Sequence, residues 1–502
     1  MGTGEIILFI LMAGISVSYG WGMRGTTIGG EKGAMLPGAI MGLLIAVFSP
    51  SPLLREQFFM LSGMGAMAMY LGGCMTYGET LGLTMNTWPP ENMKKGLIAV
   101  FVKGGIWFSL FGGVMGMYLT ASAGEVYKTL DFVVMFALIP PLALGGYFLL
   151  NKPLDPKNNK FPKIYFSKTR QESWGGLLGI LLLMVIIMFL RGDCFALKLM
   201  LGSGLSGAVG WVIAQLFHVY GRHPKKNGKY IFPWLQKKKL MEAWKLMECV
   251  LGAIGGMGIA LTLVLLQGDL ENIAAAHVRN GALWSPIAGH GTLITAVWMG
   301  LIALDMLQFV FREPLKKPLL EKLLNKKYIN KVQYKKELAR TKQCEASGAF
   351  KKYRLLVEGF EFPLYSVAPM LFALLGVKEV AMLASFFVVY WVIVQETAFL
   401  NFSLYKNKHL FRIVTLGLGA AVVIAQFFFD WTPGIKSTML MYGLFYELIT
   451  LAYLVRKVAL DRPAGKTPKK GRLLAVYGGI VPVHIAFLVM VVIMAAFVFL
   501  YV

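Results

Sequence analysis

The sequence predicts an all-α polytopic membrane protein. It would have about fourteen transmembrane helices of about 20 residues each, some broken by glycine or proline, and a basic helix on the cytoplasmic surface. Three observations predict this. The 502 residues are 57% hydrophobic and only 15% charged, whereas a soluble chain carries about 25% charged residues. The apolar residues come in blocks long enough to cross a bilayer, where backbone groups must be paired internally and helices do this within one segment. The basic residues gather in alternate connections between those blocks, the pattern of a chain that keeps its lysines and arginines inside.

The expected spans are 4–22, 33–50, 57–78, 96–120, 130–151, 174–191, 195–220, 246–267, 284–311, 357–376, 379–400, 410–429, 435–455 and 474–500. They divide the chain into an N-terminal bundle over 1–311, a cytoplasmic Lys-rich segment over 312–354 and a C-terminal bundle over 355–502. In the Lys-rich segment, Leu320, Leu324, Tyr328 and Val332 recur every fourth residue, giving a narrow apolar stripe suited to the headgroup layer. The first block, Ile6–Tyr19, lacks a basic leader and a small-residue cleavage site, so it reads as a retained span.

The formal net charge is +24, but its placement argues for anionic headgroups and against nucleic acid. Basic residues concentrate in Lys152–Arg170, Arg222–Lys245, Arg312–Arg354, Lys406–Arg412 and Arg456–Arg472, while the intervening connections hold one or two each. Placing the basic loops inside puts both termini outside, in a bacterial-type inner membrane. Cys74, Cys194, Cys249 and Cys344 form no CxxC pair, so neither a disulfide framework nor a zinc site is expected. No cofactor is called for.

Two glycine runs match the dinucleotide fingerprint by letter only. Gly20–Gly25 and Gly202–Gly207 lie in or at the ends of membrane helices, without the strand–turn–helix setting that the fingerprint requires. Close helix packing, or a backbone break, is the better reading. Gly25–Lys32 resembles a phosphate-binding loop but has Glu31 where a lysine is required. Tyr-Gly endings at Tyr19, Tyr77 and Tyr220 hint at an internal repeat of the kind transporters are built from.

The segment Tyr19–Gly38 holds seven glycines with Arg24, Glu31 and Lys32. Glycine costs about 1 kcal/mol in a helix interior relative to alanine, so unwound backbone is expected there. Freed N–H groups beside a guanidinium would suit an anionic or hydroxyl-rich solute. The plain alternative is a tight turn in which Arg24 and Glu31 pair. Ionisable or polar residues inside apolar blocks add Glu79, Lys103, Gln215, His218 and His290 as solute contacts, together with Tyr19 and Trp21. Asp305, Glu396 and Glu447 lie deepest and are the expected ion-coupling acids, since a charge at mid-bilayer costs at least about 2.5 kcal/mol and is kept for use. Glu248 reads as juxtamembrane, with Lys245 one turn earlier. Further breaks are expected at Trp284–Thr292 and around Pro363 and Pro369.

These features fit a secondary transporter moving a small polar solute, a sugar or organic anion, coupled to H⁺ or Na⁺. A membrane-embedded transferase or flippase acting on a lipid-linked substrate is the alternative, with His290, His218 or Glu79 as general base.

Overall fold

The computed structural model describes residues 1–24, 30–75, 80–81, 83–84, 92–151, 166, 172–222, 233, 243–291, 293–298, 300–301, 321, 325, 366–377 and 380. The expected helix over 312–354, apart from two isolated residues, and the expected C-terminal bundle, apart from 366–377 and 380, lie outside these. The described part is helical, with no strand in it. Its elements are α1 Thr3–Met23, α2 Gly30–Val47, α3 Pro52–Glu56, α4 Phe58–Gly73, α5 Met93–Ser122, α6 Thr129–Gly146, α7 Trp174–Leu190, α8 Cys194–Arg222, α9 Ala243–Leu265, α10 Gln267–Asn280 and α11 Ala368–Leu374. Thr3–Gly22, Met93–Ser122, Thr129–Asn151, Cys194–Gly221 and Ala243–Leu265 are long and apolar enough to cross a membrane; Gly33–Val47 and Trp174–Leu190 are shorter apolar helices. Helices of this length and composition are compatible with a membrane-embedded chain.

The main pairings are α5 with α8, α2 with α4, α8 and α1 with α9, and α6 with α7. Glycine sets how close these helices come. A Cβ on Gly42 would lie 2.0 Å from the Leu61 carbonyl oxygen, and one on Gly38 would lie 2.1 Å from that of Gly65. Between α1 and α9, a Cβ on Gly256 would meet the Ala13 oxygen at 2.4 Å and one on Gly252 the Val17 oxygen at 2.6 Å. Small residues let backbones touch where lipid supplies no hydrophobic drive for helices to associate. The run Gly202–Gly207 serves the same purpose: Gly202 faces Thr262, Gly204 faces Ser109 and Gly207 faces Phe108.

In Tyr19–Gly38 the described residues flank 25–29, which lie outside them, and Arg24 leaves the helix in an extended conformation. Tyr19–Met23 completes α1, and Gly30–Gly38 is helical from the start of α2. Gly20 packs on Pro37, where an added Cβ would stand 2.8 Å from Cα. Gly20 and Gly38, on either side of residues 25–29, thus serve helix contact.

Prolines and π-turns break helices elsewhere. α6 contains Pro140 and Pro141 and ends in a π-helical turn, Tyr147–Asn151; proline removes a helix hydrogen bond and crowds the preceding turn. The Asn151 side chain then accepts the Gly175 N–H at 2.7 Å, tying that turn to α7. The chain is non-helical from Gly281, at φ 66°, until the short 3-10 turn Ala288–His290. Pro369 sits in the first turn of α11, beneath a π-turn at Ser366.

α10 was not expected from the sequence, which treats 268–283 as a connection. Leu270, Ile273, Ala274 and His277 are buried, the spacing of one helix face, and left-handed Gly281 closes the helix. His277 docks it: Nδ1 lies 2.8 Å from Ser51 Oγ and Nε2 lies 2.9 Å from Ser122 Oγ. Ser122 gives its own proton to the Leu119 carbonyl, so Nε2–H donates to Ser122 and Nδ1 accepts from Ser51. Nearby, Asp193 caps α8 through the Ala196 N–H and accepts from the Thr120 and Tyr127 hydroxyls at 2.6 Å each. Burial and the Asp193 charge push the Tyr127 phenol up from its usual range.

Two expectations follow. Gly42→Ala lowers the stability of the detergent-purified protein by about 1–3 kcal/mol, read from thermal unfolding. Gly268→Ala, which meets nothing within 4 Å, leaves it unchanged or slightly raised. Burial lowers the His277 pKa from 6.5 to about 4, so the unfolded chain takes up this proton before the folded one. The stability it contributes is complete above about pH 6.5 and is lost as pH falls toward 4, amounting to about 3 kcal/mol at most. His277→Ala flattens that part of the pH–stability curve; an unchanged slope contradicts this assignment.

Candidate functional site

Successive helices run in opposite directions and share two polar ends. Ser51, Ser122, Tyr127, Asp193 and His277 mark one. The other collects Arg24, Thr80, Thr84, Lys103, Glu172, Gln215, His218, Lys245 and Glu248, all buried to within 2% exposure. A charge so placed needs a partner, and the partners form a belt across the bundle.

The belt begins at Lys103 of α5. Its ammonium donates to Glu172 Oε1 at 2.8 Å and to Thr80 Oγ1 at 2.7 Å. The other Glu172 oxygen accepts from the Phe166 backbone N–H at 2.9 Å and the Trp174 indole at 3.1 Å. In the same short turn as Thr80, the Thr84 hydroxyl and the Leu81 carbonyl accept from the side-chain amide of Gln215 on α8. Gln215 Oε1 lies 3.3 Å from His218 Nδ1. The His218 ring meets Trp244 edge to face at 5.2 Å, and Trp244 donates to Glu248 Oε1 at 3.1 Å. Lys245 closes the belt: its ammonium lies 2.7 Å from Glu248 Oε2 and also donates to the backbone carbonyl of Arg24.

Arg24 ends α1 in an extended conformation, its N–H turned back to Gly20 and Trp21. Its guanidinium stands 5.1 Å from the Trp21 ring centre and 5.0 Å from that of Trp107, within cation–π range. Trp107 leans edge-on against Trp21 and Trp211 at 5.1 and 5.7 Å and donates to the Met69 carbonyl. The Trp21 indole N–H is buried and has no acceptor among the described residues.

Of the residues singled out by sequence, Tyr19, Trp21, Arg24, Lys103, Gln215 and His218 are buried at this end. His290 is not part of it: it is exposed, in the chain that follows Trp284, whose N–H bonds Ser122 at the opposite end. The turn into that span stays at the surface because Gly281 ends α10 there. The side chains of Glu31 and Lys32, and the whole of Glu79, Asp305, Glu396 and Glu447, lie outside the described residues. Sequence reasoning missed Glu172, Thr80 and Thr84, and it left Lys245–Glu248 at the membrane boundary. Glu172 carried a signal in hindsight, as an isolated acid between a basic loop and the Trp174 span. Among the described residues, no group of three His, Cys, Asp or Glu side chains forms a metal site. No family model, curated protein or solved structure matches the chain.

Lys103 and Glu172 are fully buried, and removing one member of such a pair costs about 3–5 kcal/mol. Glu172→Gln and Lys103→Met are each expected to destabilise by that order. The double variant should recover a large part of it. Additive losses in this double-mutant cycle contradict a direct pairing.

Proposed function

We propose that the chain is a secondary transporter that moves a small polar solute, a sugar or an organic anion, across a bacterial-type inner membrane in symport with an ion. The full protein has about fourteen spans with both termini outside. The end bearing Arg24 faces the cytoplasm, because the basic connections 152–170 and 222–245 adjoin it.

The observation that carries the reading is the buried belt from Glu172 to Arg24. Ionic and hydrogen-bonding side chains drawn from α1, α5, α8, α9 and the 80–84 turn meet inside apolar helices, where such groups are costly and mark solute or ion routes. Arg24 between two tryptophan faces, beside the open indole N–H of Trp21, is the solute contact. The enzyme alternative is less well served: His218 is buried beneath Trp244, and His290 stands at the other end.

Uptake into proteoliposomes, with a panel of sugars and organic acids under imposed proton and sodium gradients, tests the proposal. The expected result is gradient-dependent uptake of a member of the panel. Arg24→Ala lowers it by about tenfold or more, the loss of a charge-assisted contact. No uptake under any gradient, or full uptake by Arg24→Ala, contradicts it.

A further inference from the structure

Resting on that transporter reading, we propose that Lys245 is a built-in cation filling a coupling site made by Glu248 and the Arg24 carbonyl, and that the coupled ion is the proton, taken up at Glu248, and not sodium. A carboxylate oxygen and a carbonyl at the C-terminal end of a helix are the hard oxygen ligands an alkali ion takes in a broken-helix transporter. That helix end also carries partial negative charge. Here both are present, one on α9 and one closing α1, and the space between them is taken: the Lys245 ammonium bonds to each. The two side chains are 3% and 1% exposed. The Trp244 indole holds the remaining carboxylate oxygen at 3.1 Å.

The two lysine–carboxylate pairs of the belt differ in a way that separates their roles. Glu172 is held by three donors, from Lys103, Phe166 and Trp174, in an arrangement that protonation would only break. Among the described residues Glu248 is held by only two, from Lys245 and Trp244, and its ammonium partner also bonds the backbone carbonyl that ends α1. When a proton from water adds to Glu248 Oε2, the carboxylate becomes a neutral acid and its ionic contact with Lys245 dissolves. Lys245 keeps its proton and its bond to the Arg24 carbonyl, so the pair goes from neutral to singly positive. That charge lies at the end of α1 beside the Arg24 guanidinium, and their repulsion favours moving the α1 end away from α9. Proton binding thereby has the differential effect on two states that coupling requires.

The titratable groups facing this pair are Arg24 from α1, His218 from α8 across the Trp244 ring, and Cys249 on α9 itself. The side chains of Glu31 and Lys32 on α2 lie outside the described residues. α10, with Asp269, Glu271 and Arg279, packs at the opposite end.

The test uses the full chain in detergent and sodium alone as the probe. Thermal unfolding is followed in sodium chloride against equal choline chloride. The wild-type midpoint is expected to be the same in both. In Lys245→Ala the vacated space admits sodium, and sodium raises the midpoint by about 3 °C. Lys245→Gln, which keeps a neutral donor and most of the volume, gives the same direction with a smaller shift and serves if the alanine variant does not fold. Sodium stabilisation of the wild type, or no sodium response in either variant, overturns the proposal. A second arm measures uptake: wild type is driven by a pH gradient and not by a sodium gradient, and Glu248→Gln loses the pH-gradient dependence. Sodium-driven wild-type uptake, or Glu248→Gln uptake still driven by the pH gradient, overturns it. If the wild type moves no solute while Lys245→Ala binds sodium, the transporter reading fails and the built-in cation stands.

Discussion

The described bundle depends on how closely α1 lies against α9. The carbonyls of Ala13 and Val17 rest on Gly256 and Gly252, at distances a side chain would forbid. Because α1 comes so near, its final carbonyl, that of Arg24, falls within reach of Lys245 at the start of α9. A methyl group at either glycine would push the two helices apart. The same device recurs at α2–α4 and α5–α8, so the positions of the polar side chains are inherited from backbone contacts many residues away.

That geometry explains why the polar groups lie at one end of an otherwise apolar bundle. Hydrocarbon offers no water to an unpaired ammonium or carboxylate, so Lys103 and Lys245 each keep a carboxylate within a hydrogen bond. Aromatic faces take the guanidinium of Arg24. A buried ion pair is a poor source of stability compared with apolar side chains of the same volume. Keeping two of them in one belt, joined through the Thr80–Thr84 turn, therefore costs stability relative to apolar side chains of the same volume. The opposite end is built differently: His277 and Asp193 dock helix ends to one another through hydroxyls and a backbone N–H, and these are tasks of assembly.

Much of the fold was legible in the sequence. The first eight apolar blocks coincide with the helices α1, α2, α4, α5, α6, α7, α8 and α9, with ends shifted by a few residues, and five of these are long and apolar enough to cross a membrane. The glycine run at 202–207 was correctly assigned to packing, because nothing around it suited a nucleotide. In the run at 19–38 a cluster of glycines is equally the mark of an unwound helix and of one pressed against a neighbour; Gly20 on Pro37 and Gly38 on Met69 are packing contacts, while residues 25–29 lie outside the described ones. α10 went unnoticed because it is short and carries Asp269, Glu271 and Arg279, although Leu270, Ile273, Ala274 and His277 spelled out its buried face. For the site, Arg24, Lys103, Gln215 and His218 stood out as polar residues in apolar blocks. Their partners did not, because Glu172 lies 69 positions from Lys103 and nothing local predicts such a pairing.

Hydrogen–deuterium exchange on the purified protein, wild type against Gly252→Ala, tests most directly whether the α1–α9 approach positions the polar end. Faster exchange is expected, confined to the end of α1 and the first turns of α9, residues 19–24 and 243–249, with α6 and α7 unchanged. Unaltered exchange at both ends of that contact, or a uniform rise across the whole bundle, would contradict it.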